Sequence, residues 1–380
     1  MESSISFEIQ QKSKDNSARV GTVETPHGSF KTPAFMPVGT KGSVKGLTSD
    51  QIESTGSKII LNNAYHLMLR PGDDIISSFG GVHQFMKWSG PILTDSGGYQ
   101  AWSMADLNTI DDDGVTFKSI IDGSNIRITP ERSIEIQNNL GADIIMAFDD
   151  CPSSITPQSH VLTRRRSALT GRDGELTPAE HEKRLLKSLD RTSKWLERCT
   201  KAHHQKDVQA LFGIVQGGTN LDFRKRSVEQ ICGIDLPGYA IGGVAVGESP
   251  NAIEEVVKYT ASLLPEEKPR YLMGVGYERD IVKAVASGVD MFDCVLPTRN
   301  GRNAHAFTRN GQLHLKNACF KEDMAVLEEG CSCYTCSNMH GRAYLRHLYM
   351  SKEMLGGILV SLHNIHHFQS LMVDIRAAIS

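Results

Sequence analysis

The residues of this sequence best able to do chemistry are a knot of thiols and a set of carboxylates placed beside glycines. Cys331-Ser-Cys-Tyr-Thr-Cys336 puts three thiols within six residues, so one tight turn can aim them at a single ion. Thiolates combined with an imidazole suit tetrahedral zinc, and four protein ligands leave no open position for a reacting water. The predicted role of Cys331, Cys333 and Cys336 is therefore structural. His340, His347, His363, His366 and His367 all lie downstream, and spacing alone does not choose the fourth ligand among them.

The carboxylates come in three settings. Asp95-Ser-Gly-Gly-Tyr-Gln100 follows the apolar run Pro-Ile-Leu-Thr with an acid and two glycines, which lets a ligand approach the main chain closely. A helix-capping aspartate is the plain alternative there. Phe148-Asp-Asp-Cys-Pro152 sets two acids after Ile-Ile-Met-Ala. Asp290-Met-Phe-Asp-Cys-Val-Leu-Pro-Thr-Arg-Asn-Gly-Arg-Asn303 places Asp293 just before a loop bearing Arg299 and Arg302. An aspartate able to attack a sugar carbon, next to arginines able to hold phosphates, fits chemistry on a nucleic-acid ribose. Gly213-Ile-Val-Gln-Gly-Gly218 and Gly238-Tyr-Ala-Ile-Gly-Gly-Val-Ala-Val-Gly-Glu248 offer a carboxamide and main-chain amides that can read the polar edge of a flat heterocycle. Neither matches a P-loop or dinucleotide fingerprint.

These residues need strand ends to stand on. Short apolar runs recur at 59–61, 92–94, 144–148, 211–215, 239–244, 270–273 and 289–292, alternating with helical patterns at 130–140, 177–203, 251–264 and 278–287. Such alternation predicts parallel strands with crossover helices, and acids at strand C-termini are where an eight-stranded α/β barrel builds its site. A doubly wound open sheet would put ligands at the same ends. The polar, turn-rich stretch 153–183 reads as a surface loop leading into a helix.

Composition narrows the class. The 380 residues are 39% hydrophobic and 22% charged, as in an ordinary globular protein, and no apolar run approaches the length of a membrane span. Met1-Glu-Ser-Ser lacks a signal pattern, so a cytoplasmic location is expected, where eight scattered cysteines would stay reduced. The net charge of -3 gives no global pull on nucleic acid, but residues 294–321 carry five Lys or Arg and no acid.

Together these segments resemble the tRNA-guanine transglycosylases of the bacterial type. The resemblance rests on Thr32-Pro-Ala-Phe-Met-Pro-Val-Gly-Thr40, Tyr65-His-Leu-Met-Leu-Arg-Pro-Gly72, the Asp95 and Asp293 segments, the cysteine cluster and Leu362-His-Asn-Ile365. It implies an α/β fold, an irregular (β/α)8 TIM barrel with a C-terminal zinc-binding subdomain. The implied division is a barrel over 1–310, a zinc subdomain over 311–363 and a C-terminal helix over 364–380 packing back on the barrel. The implied reaction replaces guanine at the wobble position of tRNA with 7-aminomethyl-7-deazaguanine. By resemblance, Asp293 is the nucleophile and Asp95 the general acid/base, as in a retaining glycosidase. Asp149, Gln216 and Gly243 read the base, Ser96, Val244 and Cys151 line the same pocket, and Tyr99 and Met273 sandwich the ring. Arg299 and Arg302 grip the anticodon loop, and His363 is the fourth ligand of one zinc ion.

Val246, where eukaryotic members favour glycine, argues for the aminomethyl base; direct use of queuine and a non-catalytic tRNA-binding paralogue are the alternatives. The archaeal branch carries C-terminal RNA-binding domains not seen in this sequence, which favours the wobble position. Asn62 and Ala64, and Ala101-Trp102, depart from the family pattern and are expected near ribose and base, and the segment from Cys151 to Trp195 is longer than the resemblance implies. A homodimer is expected from Trp88, Tyr344 and His347, although Met339 replaces a tryptophan of its seam.

Overall fold

The computed structural model describes residues 4–103, 108–153, 177–244 and 248–379, with 101–103 and 108 as backbone only. A three-stranded antiparallel sheet comes first: β1 (Ser6–Lys12), β2 (Arg19–Thr25) and β3 (Gly28–Thr32). Then come β4 (Ala34–Gly39), β5 (Ile60–Asn62) and β6 (Ile92–Thr94), followed by a second antiparallel sheet of β7 (Asn108–Ile110), β8 (Val115–Lys118) and β9 (Asn125–Ile128). The remaining parallel strands are β10 (Ile144–Met146), β11 (Ala210–Val215), β12 (Gly238–Ile241), β13 (Arg270–Leu272) and β14 (Met291–Cys294). β4, β5, β6 and β10 to β14 pair in parallel, and β14 returns onto β4 with Met291 opposite Ala34 and Asp293 opposite Met36. The sheet is thus a closed eight-stranded barrel and not the open alternative. The strand absent from the seven apolar runs is β4, whose residues are all buried.

Alternation along the strands separates two apolar layers. Ala34, Met36, Val38, Leu61, Leu93, Met146, Phe212, Ile214, Tyr271 and Met291 fill the lumen. Their neighbours Phe35, Ile60, Ile92, Ile145, Leu211, Val215, Leu272 and Phe292 pack outward against the helices. Continuing the lumen parity beyond the strands puts Asp95, Gln216, Met273 and Asp293 on the inward face at the C-terminal rim.

The crossover helices begin where local chemistry dictates. Thr129 accepts from Arg132 N to start Pro130–Leu140, which ends at Gly141 in the left-handed conformation at φ 71°. Thr177 and Glu180 form a capping box at the start of Pro178–Ala202, and Ser249 caps Pro250–Leu263. Residues 178–183, where the loop reading of 153–183 overlaps the helical pattern at 177–203, belong to the helix; 154–176 lie outside the described residues. Among the described residues no helix is long and apolar enough to cross a membrane.

Ile5, Val23 and Phe30 from the N-terminal sheet join the lumen cluster and close the end opposite the acids. There Asp143, fully buried, faces His27 Nδ1 at 2.8 Å and His83 Nε2 at 3.1 Å and accepts the main-chain N–H of Ile92 at 2.8 Å. Burial pushes this carboxyl up, but the bonds from His83, Ile92 and His27 outweigh it and hold it below its ordinary range. Asp143→Ala should cost about 3 kcal/mol of unfolding free energy at pH 7 in urea titrations. A carboxylate lowered in the folded state contributes above its unfolded pKa of about 3.9 and stops contributing once protonated. The gap to the parent should accordingly close as the pH falls through that range; a gap unchanged down to pH 2 would assign the effect to packing alone.

The last third of the chain adds a hairpin, β15 (His305–Thr308) with β16 (Gly311–His314), and two short helices, Tyr334–Ser337 and Arg342–Met350. One continuous helix, Met354–Ile379, then spans this region and the barrel wall, stacking Phe368 on Phe35 at 4.8 Å.

Candidate active site and metal centre

Asp95 leaves the end of β6 almost fully buried. Its Oδ1 accepts the main-chain N–H of Ala64 at 2.8 Å, and its Oδ2 accepts from the amides of Asn63 and of Gln100, the latter at 2.9 Å. Burial lifts its pKa to about 6; the donors from Asn63 and Ala64 pull against that, and the charge of Asp293 adds to it. Asp293, at the end of β14, is half-buried. Its Oδ1 accepts the Tyr271 hydroxyl at 2.6 Å and Gly274 N at 2.8 Å, while Oδ2 accepts no hydrogen bond among the described residues. Its pKa is also raised by burial, with Tyr271 and Gly274 opposing. The rim thus holds one carboxyl poised to carry a proton and one carboxylate whose second oxygen is available to attack.

The two acids of Phe148-Asp-Asp are separated by the fold. Asp150 is neutralised by Arg184 at 2.6 Å and Arg191 at 2.5 Å, both from the helix Pro178–Ala202. Asp149 instead accepts Gln216 Nε2 at 2.6 Å and the Ser96 hydroxyl at 3.4 Å, and its pKa is lifted to about 7 by burial and then by the charge of Asp150. Gly243 sits against Gln216: at φ 62°, a Cβ there would lie 2.2 Å from Gln216 Oε1, so only glycine fits. Cys151 is buried beside Asp149, which keeps its thiol protonated. Val244 is buried in the same wall, and Tyr99 and Met273 are half-buried. Val246 lies outside the described residues. Arg299 and Arg302 project from the short helix Leu296–Arg302, exposed and without an ion pair among the described residues.

Two expectations are corrected. Asn62 does not face the pocket: lumen parity belongs to Leu61, so Asn62 turns outward and buries its amide among the carbonyls of Gly39 and Leu61 and the Met86 sulfur. Trp88 does not present itself at the surface; it is 5% exposed and donates its indole N–H to Pro91 O. Three residues escaped the sequence reading. Tyr271 has the parity of Met273 and could have been found by counting inward positions, whereas Asn63 and Arg224 carry no local signal.

The thiol cluster resolves the choice of histidine. His363 Nδ1 stands 3.7, 3.4 and 3.6 Å from the sulfurs of Cys331, Cys333 and Cys336. Its Nε2 donates to Phe307 O at 2.7 Å, which fixes the tautomer and leaves Nδ1 to the ion. His366 is engaged with Ser332 and Thr55, His367 faces Glu278, and His340 stacks near Tyr344. Cys331, Cys333, Cys336 and His363 form a group able to hold a metal ion.

Comparison with known proteins agrees with this geometry. The family described as queuine tRNA-ribosyltransferase matches residues 14–380. A queuine tRNA-ribosyltransferase of Thermus thermophilus is 50% identical over 373 residues, covering 98% of this chain and 90% of its own length. Those of Cyanothece sp. and Staphylococcus aureus are 48% and 46% identical, covering 98% and 99% of this chain and 92% of their own lengths. With the match running from the N-terminal sheet to the last helix, the chain belongs to the queuine tRNA-ribosyltransferase family.

Proposed function

We propose that this protein is a tRNA-guanine transglycosylase that replaces guanine at the wobble position of tRNA with 7-aminomethyl-7-deazaguanine by double displacement. The observation that carries the reading is the pair of carboxylates on the barrel rim, one hydrogen-bonded on a single oxygen and one saturated with donors. Oδ2 of Asp293 attacks the anomeric carbon of the ribose, the bond to guanine breaks, and Asp95, protonated near its pKa of about 6, supplies the proton to the departing base. The incoming base gives its ring proton to Asp95, attacks the same carbon and releases Asp293. Two successive inversions at the anomeric carbon retain the sugar configuration.

Asp149, Gln216 and Gly243 read the edge of the base, with Ser96, Val244 and Cys151 around it and Tyr99 and Met273 on its faces. The raised pKa of Asp149 lets it donate as well as accept toward a heterocycle. Val246 is the residue we assign to the choice between the aminomethyl base and queuine. Arg299 and Arg302 grip the anticodon loop. The division into 1–310, 311–363 and 364–380 accompanies this reading, the last two parts being joined by one helix.

Zinc is the ion we assign to the cysteine site. Zn–S bonds of about 2.3 Å and a Zn–N bond of about 2.05 Å in a tetrahedron set sulfur and nitrogen roughly 3.6 Å apart, and the three observed separations are 3.7, 3.4 and 3.6 Å. Such an ion staples the segment that carries the RNA-gripping loop. Exposed Tyr344 and Met339 support a homodimer seam, and a tRNA substrate supports a cytoplasmic location.

The test is exchange of labelled guanine, the aminomethyl base and queuine into tRNA. Incorporation of the first two with weak use of queuine is expected; no incorporation of any would overturn the reading. Exchange should pass through a maximum near pH 6, because Asp95 must be protonated to serve the departing guanine and ionised to accept the proton of the incoming base. A profile flat from pH 5 to 8 would remove Asp95 from that role.

A further inference from the structure

Behind the base pocket, the helix Leu221–Cys232 carries Arg224 in its first turn with no solvent exposure. Its Nε donates to Gly218 O at 2.9 Å, Nη1 to Val215 O at 3.1 Å and to Gly242 O at 2.7 Å, and Nη2 to Gly243 O at 3.1 Å. Among the described residues, every hydrogen bond of this guanidinium ends on a main-chain carbonyl. Two of the carbonyls belong to the strand end and turn that carry Gln216; the other two belong to the turn that carries Gly243. Ser227, one helical turn further on, accepts Gln216 N at 3.0 Å, so the same helix holds the glutamine from a second point.

The glycines are shaped to this arrangement. Gly217, at φ 132°, has no room for a Cβ, which would fall 2.9 Å from Arg224 N. A Cβ on Gly242 would fall 2.9 Å from Gln216 Nε2. Burial brings the guanidinium pKa down to about 10, so it is still charged at neutral pH. A charged, planar, five-donor fork is the side chain that can span carbonyls of two turns at once; an ammonium on a flexible stem cannot.

We propose that Arg224 is a positioning residue for base recognition, tying the β11 and β12 turns into one unit so that Gln216 and Gly243 meet the same ring edge. The inference rests on the base-reading roles assigned above to Gln216 and Gly243. Loosening the tie displaces the reading groups while leaving Asp293 and Asp95 on their own strands, so the cost falls on binding of the free base. The helix Leu296–Arg302 with Arg299 and Arg302 takes no hydrogen bond from Arg224.

The experiment compares Arg224→Lys, Gln216→Ala and the parent in exchange of labelled guanine. Arg224→Lys should raise KM for guanine at least tenfold while KM for tRNA, set by the grip on the anticodon loop, stays within twofold. A guanine KM unchanged in Arg224→Lys, or one that rises together with the tRNA KM, overturns the proposal. Gln216→Ala separates the two layers: if it leaves the guanine KM unchanged, the base-reading assignment fails. If it raises that KM and Arg224→Lys does not, only the role of Arg224 fails. Should Arg224→Lys not fold, hydrogen exchange of the parent decides. The amides of 216–218 and 242–244 should exchange together and gain protection together with saturating guanine, and independent exchange of the two turns overturns the tie.

Discussion

Asp293→Asn abolishes both base exchange and the covalent adduct with tRNA, with a loss on the order of 10⁴-fold or more, as for removal of other covalent nucleophiles. The substitution keeps the shape of the side chain and can still accept the Tyr271 hydroxyl at the position now occupied by Oδ1. It removes the anionic oxygen that accepts no hydrogen bond, and a neutral amide does not displace a base from a ribose. Denaturing gels of the parent with tRNA and excess deazaguanine should show a retarded band that the variant lacks. An unchanged melting temperature, with tRNA binding retained, would assign the loss to chemistry. Retained adduct in Asp293→Asn would move the nucleophile elsewhere on the rim, with Asp95, which feels the charge of Asp293, the first candidate.

Removing the metal should first cost folding and tRNA affinity, not the rim chemistry. Structural zinc supplies roughly 10 kcal/mol or more in sites of this kind, and here the ligands tie the cysteine turn to the helix Met354–Ile379, beside the bond from the Thr335 hydroxyl to Leu359 O. His363 belongs to the helix Met354–Ile379, whose next residue, Asn364, accepts Phe307 N at 2.9 Å and donates to Pro297 O at 3.0 Å and His305 O at 2.9 Å. A metal held there would steady, through Asn364, the helix that carries Arg299 and Arg302. Cys336→Ser or chelation should release one equivalent of metal, lower the melting temperature by more than about 10 °C and weaken tRNA binding at least tenfold. The pH dependence of any residual exchange should be unchanged. Metal loss with full tRNA affinity would leave the site without the stapling role.

Much of this architecture was legible in the chain. The helical patterns at 130–140, 177–203 and 251–264 match three crossover helices almost to the residue, each of which the structure starts at a capping Thr129, Thr177 or Ser249 followed by proline. Seven apolar runs locate seven barrel strands, two of them displaced: Gly238–Ile241 stops short of Val244, and Met291–Cys294 starts later than Val289. The eighth, Ala34–Gly39, contains Pro37 and resembles a loop motif by composition; pairing on both sides makes it a strand.

The candidate site divides in the same manner. Asp95, Gln216, Met273 and Asp293 were reachable because each follows an apolar run at inward parity. The difference between Asp149 and Asp150 was not, because it depends on Arg184 and Arg191 arriving from a helix more than thirty positions away. Asn62 was misplaced for a related reason: its neighbours suggested the pocket, and the pleat turned it away.

What the sequence determined by itself was which chemistry could occur: three thiols within six residues, acids after strand-like runs, glycines where main chain must be approached, arginines beside the last acid. These are local codes, acting through pleat, helix caps and tight turns over a few residues. The tertiary structure decided which of those groups meet. Closure of β14 on β4 brings Asp293 to the rim, Gln216 bonds to an aspartate 67 residues earlier, and His363 wins over four other histidines because Phe307 holds its ring. Such choices depend on how the layers pack around the lumen, and that packing is a property of the closed barrel as a whole and of no single segment.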